Sequence, residues 1–286
     1  IIFGFIFTFF SSFGQSFFLG LFNNSIRNEL SITHGQFGSI YASATLLSSF
    51  ILIWVGKKID DINISKFAFF VILLLSFSSF FFSTISSLSL LFIAIFLMRF
   101  SGQGMMSHTA TTTVSRYFTQ SRGKALSTIW FGLSTAEFIL PVFIIFLLSL
   151  YDWKIIWLSI SLLVLLILPI TSFILVKNLN FNSRETEQKK GSKNLNIKNW
   201  KRIEVIKDYR FYIICANMLA MPWIATGTFV YQSFILNSKN WGPYIIAQSF
   251  MAYSVLSVIT LIISGILIDK FTSRKLIIYM NIPLLI

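Results

Sequence analysis

Charged residues are scarce in this chain of 286 residues. Only 12% of its residues are charged, whereas 55% are hydrophobic, and the mean hydropathy is +0.77. A soluble domain has about 25% charged residues, and its surface is too large relative to its volume to bury so many apolar side chains. The scarcity of charge therefore excludes an ordinary soluble fold and predicts a protein that lies in a lipid bilayer.

Several sequence features of enzymes and metalloproteins are missing as well. The single cysteine, Cys215, excludes an internal disulfide bond, and no clustered His, Cys or carboxylate spacing indicates a metal site. The chain has no G-x-x-x-x-G-K-[ST] phosphate-binding loop, so ATP is not the expected energy source. Because no cluster of catalytic polar groups is present either, we expect neither an enzyme nor a cofactor.

Neither end of the sequence has the features of a natural terminus. The chain begins without methionine and without the charged leading segment of a signal peptide, and it stops at Ile286 inside an apolar run. We therefore expect a fragment that is cut at both ends.

The positive charges lie between the apolar runs. The net charge of +13 by itself fits either nucleic-acid binding or membrane topology. A nucleic-acid-binding protein clusters its basic residues on one folded face, whereas here nineteen of the 23 Lys and Arg residues follow even-numbered apolar runs. Because basic loops stay in the cytoplasm, the sequence predicts a cytoplasmic N-terminus, a plasma membrane (in a bacterium, the inner membrane) and no nucleic-acid partner.

The apolar runs are long enough to cross a membrane as helices. About 20 apolar residues span the hydrocarbon, and a helix satisfies its own backbone hydrogen bonds in lipid. The period-2 alternation of barrel strands is not seen. The predicted fold is therefore an all-α membrane protein, with a ninth span beginning at Leu276 after eight complete spans at about 1–22, 36–55, 67–84, 89–113, 126–150, 155–176, 211–236 and 243–264.

Two loops that follow even-numbered spans have similar sequences. Both have a glycine, an aspartate four residues later and a lysine six residues after that. The copies lie 209 residues apart and contain Gly56, Asp60 and Lys66 in the first, and Gly265, Asp269, Lys270, Arg274 and Lys275 in the second. Glycine permits close approach of helices, and an aspartate is stabilised at a helix N-terminus. A transporter built of two parallel halves predicts an internal repeat of this kind.

The repeated loops resemble the G-x-L-x-D-R-x-x-R-R/K signature of the major facilitator superfamily, and the second copy is the better match. The first copy has Asp61 in place of the arginine that follows the aspartate. The segment 99–104 resembles the fourth-helix arginine and glycine pair of that family. The segment 115–126 resembles its R-x-F…R-G-K/R-A-L loop, in the form of the monocarboxylate and oxalate–formate branch.

The resemblance implies the fold and mechanism of that superfamily. Two pseudo-symmetric six-helix bundles would rock about a central site, with the repeated loops as a conformational latch. Residues 1–176 would form the N-terminal bundle, 177–210 a basic cytoplasmic linker, and 211–286 the start of an incomplete C-terminal bundle. The protein would be a monomeric secondary transporter that moves a small solute by alternating access, driven by a proton or by exchange of a second solute.

Two charged residues fall inside predicted spans. Arg99 is about 10 residues into the fourth span and Glu137 about 11 residues into the fifth, so each lies roughly 15–17 Å deep at 1.5 Å per residue. A lone charge at this depth is costly, so partners are expected. We expect Arg99 and Glu137 to pair in at least one state. Arg99 would bind an organic anion such as a monocarboxylate, and the released Glu137 would take a proton; a static structural pair is the alternative.

Four further residues are candidates either for the lining of the cavity or for packing: Gln15, Tyr41, Trp223 and Tyr231. They belong to the first, second and seventh spans, which line the cavity in the superfamily. Drug–proton antiport is the rival function, although 132–141 does not match the glycine-proline-glycine signature of that branch. A non-transporting sensor is a further alternative, but the 34-residue linker is too short for a signalling domain.

Overall fold

The computed structural model describes residues 1–118, 121–176, 202–271 and 273–282, without the side chains of residues 176, 202, 273 and 274. Eight helices in this part of the chain are long and apolar enough to cross a membrane. They are numbered α1 to α8 and comprise Ile2–Leu21, His34–Asp60, Ile64–Ser83, Leu88–Tyr117, Arg122–Leu150, Trp153–Leu175, Tyr209–Val230 and Tyr244–Phe271. Shorter helices lie at Asn23–Leu30, Arg202–Lys207, Gln232–Ser238 and Ser273–Leu276. The predicted all-α membrane fold is confirmed.

Polar residues in the short loops fix where several spans begin. α2 starts with a capping box, in which Thr33 Oγ1 accepts a hydrogen bond from Gln36 N and Gln36 Oε1 accepts one from Thr33 N, at 3.2 and 2.8 Å. Asn63 caps the first turn of α3 and Ser87 that of α4. These side chains satisfy backbone N–H groups that a helix leaves unpaired at its N-terminus. Local sequence therefore sets these boundaries as much as packing does.

Several spans differ from their predicted bounds, and α2 and α8 continue to Asp60 and Phe271, past the predicted ends at 55 and 264. α4 continues to Tyr117, past the predicted end at 113, and α5 begins at Arg122, before the predicted start at 126. Basic residues therefore lie in the terminal turns of both helices, where long side chains can extend along the helix to reach water. The seventh span, predicted as one segment at 211–236, is divided, because α7 ends at Val230 and a second helix begins at Gln232.

The chain after α8 does not form the predicted ninth span within the described residues. The helix at Ser273–Leu276 is followed by turns up to residue 281. Residues 283–286 lie outside the described part, as do residues 177–201 of the predicted basic linker. The division into bundles at 1–176 and 211–286 stays a prediction.

The packing of the spans places α1, α4 and α5 at the centre of the described structure. α5 lies between α1 and α8, α3 packs against α6, α2 against α4, and α7 against the last turns of α1. An aromatic cluster of Phe18, Phe22, Phe82 and Trp157 joins α1, α3 and α6, with ring centroids 4.4–5.5 Å apart. Many apolar side chains elsewhere stay exposed on the helix surfaces, as lipid-facing residues do.

The two ends of the bundle differ in charge. Ile2 of α1 lies beside Tyr117 of α4 and Leu175 of α6, so the start of α1 and the loops after α4 and α6 share one end. The loops after α2 and α8 also lie there, because Asp60 contacts Arg116 and Asp269 contacts Gly123. We name this the basic end; it is the predicted cytoplasmic side. The other end, with the loops after α1, α3, α5 and α7, is named the opposite end.

Candidate functional site

α1 is broken near the middle of the bundle. A 3-10 turn at Ser12–Gly14 ends its first part, and Gln15 has extended backbone angles of φ −80° and ψ 154° before the helix resumes at Ser16. A break in a membrane-spanning helix frees backbone carbonyl groups, which must then be satisfied by neighbouring side chains or by water. The break therefore creates acceptors for hydrogen bonds deep in the bundle.

α4 is distorted where it passes this break. Residues Arg99–Met106 form a π-helical segment, an arrangement that is frequent at functional sites. Gly102 in this segment and Gly14 in the break meet backbone to backbone, since a Cβ atom at Gly102 would lie 2.6 Å from Gly14 N. Only glycine fits here, because the nearby atoms belong to rigid backbone. The two glycines bring the distorted parts of α1 and α4 into direct contact.

Arg99 is buried at this contact and is held by neutral groups. Its side chain is 5% exposed, and Nη1 donates to Gly14 O at 3.0 Å and to Ser16 Oγ at 3.2 Å. The guanidinium carbon lies 5.3 Å from the centre of the Tyr41 ring, within the range of a cation–π interaction. The Tyr41 hydroxyl donates to Ser16 Oγ at 2.9 Å. Ser16 and Tyr41 thus fix the orientation of the guanidinium group.

Glu137 lies elsewhere, and the predicted ion pair with Arg99 is not formed in this structure. Glu137 is 6% exposed on α5 and interacts electrostatically with Tyr253 of α8. Similar depth along two neighbouring helices does not bring side chains together when they point to different neighbours. Arg99 points to α1 and α2, whereas Glu137 faces α8. Both charges are therefore buried without an ion-pair partner in the described part of the chain.

Several polar atoms around the break of α1 have no partner. Among the described residues, Arg99 Nε, Ser12 Oγ, Ser101 Oγ and Gln103 Oε1 are buried without a hydrogen bond. Buried polar atoms are normally paired with protein or water, so these four atoms are unusual and mark this point of the bundle as a candidate site. Sequence reasoning missed Ser12, Ser101 and Gln103 as site residues; the glycines beside them were the available signal.

The remaining predicted cavity residues are only partly brought to this point. Gln15 forms the break itself and is half-buried. Trp223 on α7 is 80% exposed and does not approach Arg99 in the described structure. Tyr231 lies at the opposite end, where its hydroxyl packs against Gly38 of α2 and its ring centre is 6.4 Å from that of His34. The structure thus joins Arg99, Tyr41 and Gln15, and separates Trp223 and Tyr231 from them.

The second copy of the repeated loop connects α8 to α5 at the basic end. The Asp269 carboxylate accepts hydrogen bonds from Gly123 N at 2.8 Å and Lys124 N at 3.0 Å. These N–H groups belong to the first turn of α5, where Ser121 provides no side-chain cap. Asp269 of α8 therefore acts as an N-cap for α5, although it belongs to another helix. The dipole of α5 favours its negative charge.

Close packing supports this contact between α5 and α8. Gly265, one turn before Asp269, is buried against Ser127, and a Cβ atom at Gly265 would overlap the Ser127 hydroxyl. The basic residues of the second copy lie outside this contact. Lys270 lies over the ring of Phe271, with its Nζ 5.3 Å from the ring centre, and Lys275 is exposed. The side chain of Arg274 lies outside the described residues.

The first copy makes a different contact, within α2 to α4. Asp60 forms an ion pair with Arg116 of α4, whose Nη1 also donates to Ile59 O at 3.3 Å. Gly56 is buried at the end of the α-helical part of α2, where its carbonyl oxygen lies 2.9 Å from His108 Nε2. Lys66 is exposed in the first turn of α3. The two copies therefore share a sequence pattern, but only the second links α8 to an earlier span.

At the opposite end, hydrogen bonds between uncharged groups join α1–α6 to α7–α8. Asn23 Nδ2 donates to Val230 O at 2.8 Å, and Gln232 Nε2 donates to Phe17 O at 3.2 Å. These bonds join the end of α1 to the end of α7 and the helix after it. The polar contacts between α1–α6 and α7–α8 thus involve a charged side chain at the basic end and only neutral groups at the opposite end. In the described residues, no group of three His, Cys, Asp or Glu side chains is arranged to hold a metal ion.

Comparison with known proteins identifies a family for this chain. Residues 4–286 match the family described as Major Facilitator Superfamily. A search of the curated proteins found no match. The family match covers nearly the whole chain, including both repeated loops and the segment around Arg99.

Proposed function

The chain belongs to the major facilitator superfamily and is a secondary transporter of that superfamily, and from this premise we propose that it carries a small organic anion, such as a monocarboxylate, by alternating access. The proposed substrate site is the break of α1, with Arg99 as the anion-binding group. Glu137 is proposed as the proton-binding group. The protein would act as a monomer in the plasma membrane, the inner membrane of a bacterium, with its N-terminus in the cytoplasm.

The buried and unneutralised charge of Arg99 is the observation that supports an anionic substrate. Its described partners are a carbonyl oxygen, a hydroxyl group and an aromatic ring, none of which has a full negative charge. A buried charge without a counterion is strongly unfavourable, and intramembrane charges usually mark substrate or ion pathways. A carboxylate bound to the free edge of the guanidinium group would supply the missing charge with two parallel hydrogen bonds.

Tyr41 and Ser16 would position Arg99 for this role. They hold Nη1 through Ser16 Oγ and lie against one side of the guanidinium group, so Nε and the second terminal nitrogen are left to bind substrate. Gln103 Oε1, Ser12 Oγ and Ser101 Oγ are unpaired nearby and would accept hydrogen bonds from hydroxyl groups of the substrate. Gln15 would alter the shape of the site when α1 changes its angle.

Glu137 would couple transport to a proton because of its position between α5 and α8. The side chain faces α8, where it interacts with Tyr253. These helices must move relative to one another when one end closes and the other opens. A carboxyl group at such an interface would be protonated in one arrangement and ionised in the other, so movement of the helices would change its protonation.

The two ends would then act as alternate gates. At the basic end, the latch residues Asp269 and Gly265 hold α8 against α5, and separating them would open the site on that side. At the opposite end, Asn23 and Gln232 hold α1 against α7 and the following helix. In the first copy, Asp60, Gly56 and Lys66 are proposed as the corresponding latch residues. Asp60 forms its ion pair with Arg116 of α4.

Uptake by proteoliposomes that contain the full-length protein tests this function. Radiolabelled monocarboxylates are added with and without an inwardly directed proton gradient. We expect saturable, gradient-stimulated uptake, its loss in Arg99→Lys, and uptake in Glu137→Gln that no longer responds to the gradient. Normal transport by both variants would refute the proposed site.

Drug–proton antiport is the alternative function, and one observation favours it. Glu137 is a buried carboxyl group without a basic partner among the described residues, which would suit the binding of a cationic drug. The same proteoliposomes separate the two functions. Proton-driven export of a lipophilic cation, together with no carboxylate uptake, would support the alternative and contradict the proposed anion.

A further inference from the structure

A cavity of about 370 Å³ lies at the opposite end of the protein, where Gly20 and Leu21 of α1 belong to its lining. Its walls come from the ends of α1 and α5 on one side, and from the helix Gln232–Ser238 and the start of α8 on the other. Its volume falls within the range of small-molecule sites, which is about 300–1,000 Å³. The cavity therefore lies between α1–α6 and α7–α8, at the end where only neutral groups hold them together.

The lining of this cavity is uncharged and combines a mainly apolar wall with amide and hydroxyl groups. Amide side chains contribute from both sides, namely Asn24 from one and Gln232 and Asn237 from the other, and we name it the amide cavity. The side chains of Trp241 and Tyr244 form part of its wall, and each presents an apolar ring with a polar group at its rim. No Asp, Glu, Lys or Arg belongs to the described lining.

Two of the amide side chains, those of Gln232 and Asn24, each have one hydrogen-bonding group without a protein partner in the described structure. Gln232 is 3% exposed; its Nε2 donates to Phe17 O, while its Oε1 is buried without a partner in the described structure. Asn24 Oδ1 accepts a hydrogen bond from Arg27 Nη2 at 3.2 Å, which leaves its N–H groups. One wall therefore offers an acceptor and the other a donor. The Ser233 hydroxyl, also in the lining, is buried without a partner as well.

We propose that the amide cavity is a second solute site, which binds an uncharged molecule with several hydroxyl groups, such as a polyol. Each hydroxyl group both donates and accepts, so one molecule can donate to Gln232 Oε1 and accept from Asn24. The same molecule pairs the unpaired oxygens of Gln232 and Ser233, whose isolation is otherwise unfavourable. A carboxylate is a poorer ligand, because it has no hydrogen to donate and meets no cation in the lining.

The bound polyol bridges α1–α6 and α7–α8 at the opposite end. It therefore stabilises the arrangement in which that end is closed, since the two walls separate when it opens. A ligand shifts a conformational equilibrium only through different affinity for the two states. The site is thus regulatory: from the opposite side of the membrane, a polyol slows the transport cycle without competing for Arg99.

Binding of mannitol to the full-length protein in lipid nanodiscs tests the proposal. Tryptophan fluorescence is followed during titration with mannitol, and Trp241→Phe identifies the signal from the cavity. We expect saturable binding that Ser233→Ala weakens by about tenfold, the usual effect of losing one buried hydrogen bond. Ser238→Ala is the matched control, because this hydroxyl group lies on the same helix and donates to Ile235 O.

The outcomes separate this site from the anion site. Binding that persists in Arg99→Lys, with mannitol lowering the maximal rate of carboxylate uptake and not raising its KM, supports a second site. Absence of saturable mannitol binding overturns the proposal. Equal weakening by Ser233→Ala and Ser238→Ala, loss of binding in Arg99→Lys, or tighter binding of acetate than of mannitol also overturns it. Failure of carboxylate uptake with mannitol binding intact would instead refute the anionic substrate alone.

Discussion

Replacement of Asp269 by asparagine is expected to release α8 from α5 at the basic end. The carboxylate now accepts two hydrogen bonds, from Gly123 N and Lys124 N, at 2.8 and 3.0 Å. An asparagine side chain has one acceptor oxygen and one NH₂ group, so it can keep one of these bonds, and it has no charge to interact with the helix dipole.

The expected loss follows from these two contributions. One hydrogen bond to a charged group contributes about 1.5–3 kcal/mol, and the lower figure applies because Asp269 is exposed to solvent. The helix dipole adds about 0.3–1 kcal/mol. Together they give about 2 kcal/mol, so the ratio of separated to contacting populations should rise by about 30-fold.

Pulsed electron spin resonance measures this ratio. Spin labels are placed on cysteines at the exposed positions Ser121 and Ile266, after Cys215 has been replaced by alanine. The short-distance population should fall in Asp269→Asn and stay unchanged in Asp61→Asn, which removes an exposed carboxylate from the first copy of the loop. An unchanged distance distribution in Asp269→Asn, or the same change in both variants, would show that this carboxylate does not hold the helices together.

Three further predictions concern the site and its supports. Gly102→Ala places a Cβ atom 2.6 Å from Gly14 N and should lower the free energy of unfolding by about 1–3 kcal/mol, which thermal unfolding measures. Gly227→Ala is the control, because nothing lies within 4 Å of the added atom. Tyr41→Phe keeps the ring near Arg99 but loses the bond to Ser16, so we expect about a fivefold rise in the KM for carboxylate from a loss of about 1 kcal/mol, and Tyr41→Leu should raise it further; equal KM values would contradict the positioning role. Glu29→Gln removes the half-exposed ion pair with Lys154 and should lower stability by at most about 1 kcal/mol, with the difference disappearing at high salt.

The membrane spans could be predicted from the sequence, because each span is marked by its own run of apolar residues. Twenty apolar residues between polar loops have one stable arrangement in lipid, and the repeated loops around Asp60 and Asp269 pointed to the superfamily that the family match confirms. The caps at Thr33, Asn63 and Ser87 explain why the starts of these helices were predictable.

The arrangement of the site was less predictable, because it depends on rotation about the helix axis. Counting residues placed Arg99 and Glu137 at similar depth, but depth does not say which neighbour a side chain faces. The π-helical segment that begins at Arg99 also changes the angular position of each later residue in α4 compared with a regular helix. The missed partners of Arg99, Gly14 and Ser16, lie in a break that no proline marks.

The break at Gln15 also has a consequence for leakage through the transporter. A continuous helix would act as one rigid rod, so that pushing its basic end inward would push its opposite end outward at the same moment. With extended backbone at Gln15, the part before the break can stay against α5 while the part after it moves with α7. In the proposed transport cycle, both ends would therefore be shut together for a time, and water and protons would have no continuous path across the membrane while a bound solute is trapped. Tight coupling of the two fluxes would thus depend on a single non-helical residue.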